Sequence, residues 1–205
     1  MLTDRQIRAA LAAVAPVMAE HAACHWPQRG MLRERQTVCQ LVAHCAHESA
    51  GFTQLVESHW YTRERALDVW PSRAGAIAEL PARDRYLEGE APFNEVCAGR
   101  MGNSRPGDGW LYRGRGLIML TGRATYRRVG RAVGLDLVRQ PDLAADWQHA
   151  WRVAWAFCTA TTYHGTTIAE LMATGDTRSI AHAINGGFHG LAERKRLVGA
   201  ALEAT

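Results

Sequence analysis

Arg35-Gln36-Thr37-Val38-Cys39-Gln40-Leu41-Val42-Ala43-His44-Cys45-Ala46-His47-Glu48-Ser49 is the stretch that decides the fold. Val38, Leu41, Val42 and Cys45 recur three and four residues apart, the spacing that puts side chains on one helix face. Ala50-Gly51 stops the helix, as a small residue followed by glycine does. This apolar helix ends on a carboxylate, Glu48, and a second one, Glu57, follows nine residues later beyond the Gly51 turn.

The same periodicity organises the flanks. Thr3 with Gln6 forms a capping box, and Ile7, Leu11, Val14 and Met18 follow at helix spacing. Thr121 is a good N-cap; beyond it Tyr126, Val129 and Val133 face one way, and Gly134 ends the helix. Further helices are expected over 143–161, 177–184 and 191–202, the last two split by Asn185-Gly186-Gly187. Between Pro71 and Gly116 the chain is rich in Gly, Pro, Asn and Asp, with a run of turn signals from Gly102 to Gly109. This predicts a long ordered loop region with short helical pieces, and such loops in compact domains are usually functional. With no repeat and no linker, the expectation is one all-α domain over 1–205 with a loop-built cleft.

The chain has 205 residues, 47% of them hydrophobic, enough to bury one substantial core. Its net charge of +4 is carried almost wholly by arginine, Lys195 being the only lysine. That balance favours an anionic partner. No nucleic-acid recognition motif concentrates the charge, so nucleic acid is not an expected partner. The five cysteines are odd in number and lack a C-x-x-C pair, which argues for reduced thiols and against a zinc knuckle. Met1-Leu2-Thr3-Asp4-Arg5-Gln6 places an acid early and leads into no clean apolar core, unlike a signal peptide. No stretch is long and apolar enough to span a bilayer. Synthesis in a cytoplasm is the expectation, with export left to another agent.

Two carboxyl groups a turn apart suit glycosidic cleavage. One must hold a proton to donate to the leaving oxygen, so its pKa must be raised; the other must stay ionised to activate water. Glu48, on an apolar helix end, suits the acid, and Glu57, on a segment expected to be solvated, suits the base. A pair of surface glutamates is the plain alternative.

Three segments sharpen this. Ala46-His47-Glu48-Ser49-Ala50-Gly51-Phe52 runs through Leu55-Val56-Glu57 to Tyr61. Met101-Gly102-Asn103 precedes Gly107-Asp108-Gly109-Trp110-Leu111-Tyr112-Arg113-Gly114-Arg115-Gly116-Leu117-Ile118-Met119-Leu120-Thr121-Gly122-Arg123. Ile184-Asn185-Gly186-Gly187 is followed by Gly190-Leu191 and Arg194. In order and spacing, along nearly the whole chain, these resemble glycoside hydrolase family 19, the chitinase-type family, and especially its short phage endolysin members. The resemblance implies a two-lobed lysozyme-like fold and an inverting, cofactor-free hydrolysis of β-1,4 bonds between N-acetylated sugars. It places the general acid on Glu48, the general base on Glu57 and a water-holding hydroxyl on Thr121. It puts Asn185 against sugar and Arg194 nearby, though Asn185 also reads as a turn residue and Thr121 as a plain cap. Met119 stands where the family usually has a cleft glutamine, and offers bulk without a strong hydrogen bond. Ser58-His59-Trp60 replaces a typical Asn-Leu-Asn, which gives His59 and Trp60 their own subsite chemistry. The phage likeness implies peptidoglycan more than chitin as substrate. A monomer would then wait in the host cytoplasm and reach the wall after holin-type or other release.

Rival readings stand beside these. His44, His47 and Glu48 share a helix face with Cys45 near, which suggests zinc; yet the order is neither H-E-x-x-H nor its inverse, and no metal is expected. His47 then shapes the cleft beside Glu48, and His44 is a satisfied polar residue. Trp147, Trp151 and Trp155 recur every four residues and read as core packing. Trp60, Trp70 and Trp110 lie in loops near the motifs, and with Tyr61 they are candidates for sugar contact. Seven arginines stand between Arg105 and Arg131. Arg113 and Arg115 read as structural. Arg123, Arg127, Arg128 and Arg131 read as a basic helix face, either solvated or drawn to the anionic wall or outer-membrane lipid.

Overall fold

The computed structural model of the protein describes residues 1–27, 33–87 and 89–205; Glu88, inside the expected loop region, lies outside them. The helices in chain order are α1 (Asp4–Val14), α2 (Ala19–Cys24), α3 (Arg35–Glu48), α4 (Arg63–Val69), α5 (Ala74–Ala78), α6 (Ala91–Cys97), α7 (Asp108–Leu111), α8 (Arg123–Val133), α9 (Trp147–Ala160), α10 (Ile168–Thr174), α11 (Thr177–Asn185) and α12 (Leu191–Glu203). Two antiparallel hairpins interrupt them: β1 (Ala82–Arg83) with β2 (Tyr86–Leu87), and β3 (Thr162–Tyr163) with β4 (Thr166–Thr167).

Local chemistry sets most of the boundaries. Thr3 and Gln6 close the capping box of α1. The helix stops at Val14, so Met18 falls in the turn before α2 instead of on the α1 face. Pro16 explains the stop, because the residue before a proline is pushed out of the helical region. Asp146 caps α9, four residues later than the periodicity suggested, with a 3-10 turn over Pro141–Ala145 ahead of it. α8 begins after Gly122, not Thr121: the Thr121 hydroxyl donates to the Met119 carbonyl at 2.8 Å and caps nothing. Gly134 ends α8 in the left-handed conformation, as expected.

Helix α3 is the axis of the molecule. Every residue from Thr37 to Ala46 is buried, so over that stretch it has no solvent face. α1, α10 and α12 pack around it, and a helix buried all round is a core helix. The main core joins α3 to α8 and α9 through Val38, Leu41, Phe52, Leu117, Tyr126 and Trp151. Trp151 is buried there, its indole N–H donating to the Ala22 carbonyl at 3.0 Å, while Trp147 and Trp155 pack at the edge. The tryptophan stripe is thus core packing.

A second, smaller core of Ala66, Ile77, Leu87 and Val96 lies within the middle segment, with Tyr61 and Trp70 packed on it. That segment carries α4 and the short helical pieces expected after Pro71, α5 to α7, together with the β1–β2 hairpin, which the loop reading did not anticipate. The hairpin is tied to the chain after Glu57: the Leu87 N–H donates to the Tyr61 carbonyl at 2.8 Å. The five cysteines carry free thiols, three of them buried.

Candidate active site

Glu57 is positioned by backbone pairing. Its N–H donates to the Gly114 carbonyl at 2.9 Å, and the Gly116 N–H donates to the Leu55 carbonyl at 2.8 Å. The 114–120 segment is in turn a tight turn, with Arg115 and Leu120 exchanging backbone hydrogen bonds. Arg115 is buried beneath it, bonded to Asp142 at 2.8 Å and to the Leu111 carbonyl at 2.7 Å. The structural reading of Arg115 therefore holds.

This frame delivers two donors to one carboxylate. The Gly114 N–H reaches Glu57 Oε2 at 2.9 Å, and the Tyr61 hydroxyl reaches Oε1 at 3.3 Å. Gly114 makes the close approach easy: a Cβ there would sit 3.1 Å from Oε2 and 3.3 Å from the Met119 sulfur, so both side chains would have to give way. Burial pushes the Glu57 pKa above the ordinary carboxylate value, against the pull of the Gly114 N–H, the Tyr61 hydroxyl and the Arg113 guanidinium. Glu57 was expected on a solvated segment; the structure instead desolvates it, because Tyr61 and the 113–114 backbone close over it. Burial, then the charge of Glu57, pushes Tyr61 upward, so its hydroxyl stays a donor. The Tyr61 ring packs on Trp70 and Phe93 at 4.8 and 5.9 Å, so its hydroxyl serves Glu57 and its ring serves the small core.

Glu48 is held differently. Its side chain is 15% exposed, and Oε1 accepts from Arg194 Nη2, which is 1% exposed. Arg194 was expected beside substrate; it is buried, and it acts on the site through Glu48. It comes from the first turn of α12, which packs on α3 through Ala43, Leu197 and Val198. Arg194 also reaches His44 Nδ1 at 2.9 Å. A guanidinium only donates, so Nδ1 offers a lone pair and the imidazole proton sits on Nε2. Burial, Arg194 and His47 push His44 down to about 3, so it is neutral. His44 is thus half satisfied, since its buried Nε2 has no partner among the described residues.

His47 lies against the start of α12: a Cβ on Gly190 would come within 2.3 Å of its ring. Burial and Arg194 lower its pKa. No group of three or more metal-ligating side chains is found among the described residues.

The remaining candidates divide. Met119, at φ 50°, brings its sulfur against Gly114 beside Glu57, and Thr121 is tied to it through the Met119 carbonyl. Asn185 is exposed at the end of α11, its Oδ1 accepting from the Gly187 N–H at 3.0 Å, so it does form the turn. Trp110 is covered by Arg113, whose guanidinium carbon stands 3.7 Å above the ring, and it packs on Phe93. Trp60 is 64% exposed. Arg123 leaves the expected basic face: it is buried and pairs with Asp108 at 3.4 Å, whereas Arg127, Arg128 and Arg131 are exposed. Sequence reasoning missed Gly114 and His44 as parts of the site, because each matters only through a partner distant in the chain.

A helical body, a smaller lobe and two differently held glutamates define a lysozyme-like glycoside hydrolase. The fold is that of chitinase C from Streptomyces griseus, with a TM-score of 0.63 at 16% identity over 96% of this chain and 90% of that one. A bacterial family 19 chitinase superposes with a TM-score of 0.54 at 19% identity, over 94% and 84% of the two chains. A glycosyl hydrolase family 19 domain-containing protein of Haemophilus influenzae is 30% identical over 164 residues, 76% of this chain and 74% of that one. The chain belongs to glycoside hydrolase family 19. An acidic 27 kDa endochitinase of Solanum lycopersicum is 45% identical over 60 residues, 29% of this chain and 23% of its own. No family model matches the chain.

Proposed function

We propose that this glycoside hydrolase cuts the glycan strands of bacterial peptidoglycan by an inverting mechanism, with Glu48 as acid and Glu57 as base. Arg194 orients Glu48 through Oε1 and leaves Oε2 free to face the leaving oxygen, to which Glu48 gives its proton in the cleavage step. Glu57 has both oxygens oriented by donors, and its raised pKa makes it a stronger base than an ordinary carboxylate. It takes a proton from water as that water attacks the anomeric carbon. Inversion needs about 6.5–9.5 Å between the carboxyl groups, room for one water. The Thr121 hydroxyl spends its proton on the Met119 carbonyl, so its lone pairs are free to accept from that water. The reaction consumes one water and leaves a new reducing end and a new hydroxyl.

The observation that carries the substrate is charge. Peptidoglycan is anionic through its peptide carboxylates, chitin is neutral, and this chain is basic, with Arg127, Arg128 and Arg131 exposed in a row along α8. A chitinase reading rests on the tomato endochitinase match and shares the same chemistry. A host-cytoplasmic monomer that reaches the wall by holin-type release fits the peptidoglycan reading. Mass spectrometry of muropeptides freed from purified sacculi tests it. New reducing ends on the glycan are expected; intact sacculi beside cleaved chitin oligomers would transfer the assignment to chitin.

A further inference from the structure

The cavity beside His59 and Trp60 carries two opposite charges that a neutral sugar polymer cannot pair with. It measures about 600 Å³ and is bounded by His59, Trp60, Arg83, Asp84, Tyr86 and Leu87. That volume falls in the range of small-molecule pockets, about 300–1,000 Å³. Its aromatic wall is continuous with the catalytic frame. Trp60 meets Tyr86 edge-on at 5.6 Å and His59 at 4.6 Å; His59 meets Trp110 at 5.9 Å, and Arg113, next to Gly114, covers Trp110. The β1–β2 hairpin forms the other wall and hangs on Tyr61, whose hydroxyl donates to Glu57.

The tip of that hairpin supplies the charge. Arg83 and Asp84 are both exposed, adjacent in sequence and opposite in sign, and neither has an ion-pair partner among the described residues. Asp84 is held at φ 55°, a conformation that aspartate tolerates better than most residues. N-acetylated sugars offer hydroxyls, amides and an apolar face but no charge to pair with either side chain. A guanidinium and a carboxylate together match a ligand that carries both a carboxylate and an ammonium group. The peptide stems of peptidoglycan carry both.

We infer that this pocket binds the peptide stem of the glycan strand being cut, Arg83 taking a stem carboxylate, Asp84 a stem amine, and Trp60 the apolar part between. The inference rests on the peptidoglycan reading above and makes the enzyme selective for peptide-substituted strands.

The test compares uncrosslinked strands that keep their stems with strands stripped of stems by an amidase. Each is given to the parent and to an Arg83→Gln/Asp84→Asn double variant; asparagine keeps the left-handed backbone accessible. On stem-bearing strands the double variant should lose about 10- to 100-fold in kcat/KM, the scale of one or two charged hydrogen bonds. On bare strands it should match the parent. Equal loss on both strands, or loss on neither, would overturn the pocket assignment while leaving peptidoglycan cleavage intact. Failure of the parent to cut either strand, with chitin oligomers cleaved, would remove the peptidoglycan reading and this inference with it. A Trp60→Ala variant guards against misfolding at the tip, since it leaves the hairpin sequence untouched and should also lower the preference for stem-bearing strands.

Discussion

Glu57 is under opposing pressures: burial raises its pKa, and its two donors with Arg113 lower it. The balance lies above the ordinary 4.5, so the acidic limb of the kcat/KM profile should fall above that pH, where the base becomes protonated. Tyr61→Phe removes a donor that favours the ionised form and should move the limb further up. A limb that stays in place in Tyr61→Phe would mean the hydroxyl does not reach Glu57 in solution. The same shift bears on stability. A folded pKa above the unfolded one gives stability that is full below the unfolded value and lost as pH rises through the folded one. Glu57→Gln should therefore melt above the parent at pH 7, by a margin that shrinks toward pH 4, while turnover falls by about 10²–10⁴-fold. A variant less stable than the parent at pH 7 would show that ionised Glu57 is not strained by burial. Glu48→Gln should also abolish turnover with the fold intact, and near-normal lysis would refute its role as acid. The two glutamates were singled out by the resemblance, since spacing alone reads equally as a pair of surface carboxylates, and their environments were not legible. Which one is desolvated depends on Tyr61, Gly114 and Arg194, the last of them 146 residues from Glu48.

At the scale of elements, sequence worked where a local signal exists. The capping box of α1, the apolar run of α3 and the glycine stop of α8 all appear within a residue or so of their expected places. It failed where the signal is too short or non-local. Strands of two residues have no periodicity to read, so both hairpins were missed, and with the second went α10, which begins directly after β4. Thr121 misled because a good capping residue stands one place before the true cap, Gly122. The 114–116 segment carries the sharpest prediction here. Gly114→Ala would press a methyl group onto Glu57 Oε2 and the Met119 sulfur, each within 3.3 Å. Turnover should drop about tenfold or more, since a displacement of the base on this scale is felt strongly in the chemical step, while the fold survives. Circular dichroism and kcat on the same preparation check this; unchanged kcat would mean the loop yields and does not fix the base.

For the whole molecule, the two cores explain how one chain builds two lobes. α3 brings Glu48 from the large core, and the chain then crosses to the small lobe through Glu57 and Tyr61. The two catalytic candidates are anchored differently: Glu48 within the large core by α12 through Arg194, Glu57 between the cores by the 114–116 turn on one side and Tyr61 on the other. An inverting reaction needs space for a water between base and sugar, and the stereochemistry of the product reports that space. Proton NMR on a soluble oligosaccharide, read before mutarotation, measures it directly. The account predicts that the first product is the α-anomer, from water activated by Glu57. A β-anomer would mean retention, and would contradict both the base role of Glu57 and the water-holding role of Thr121.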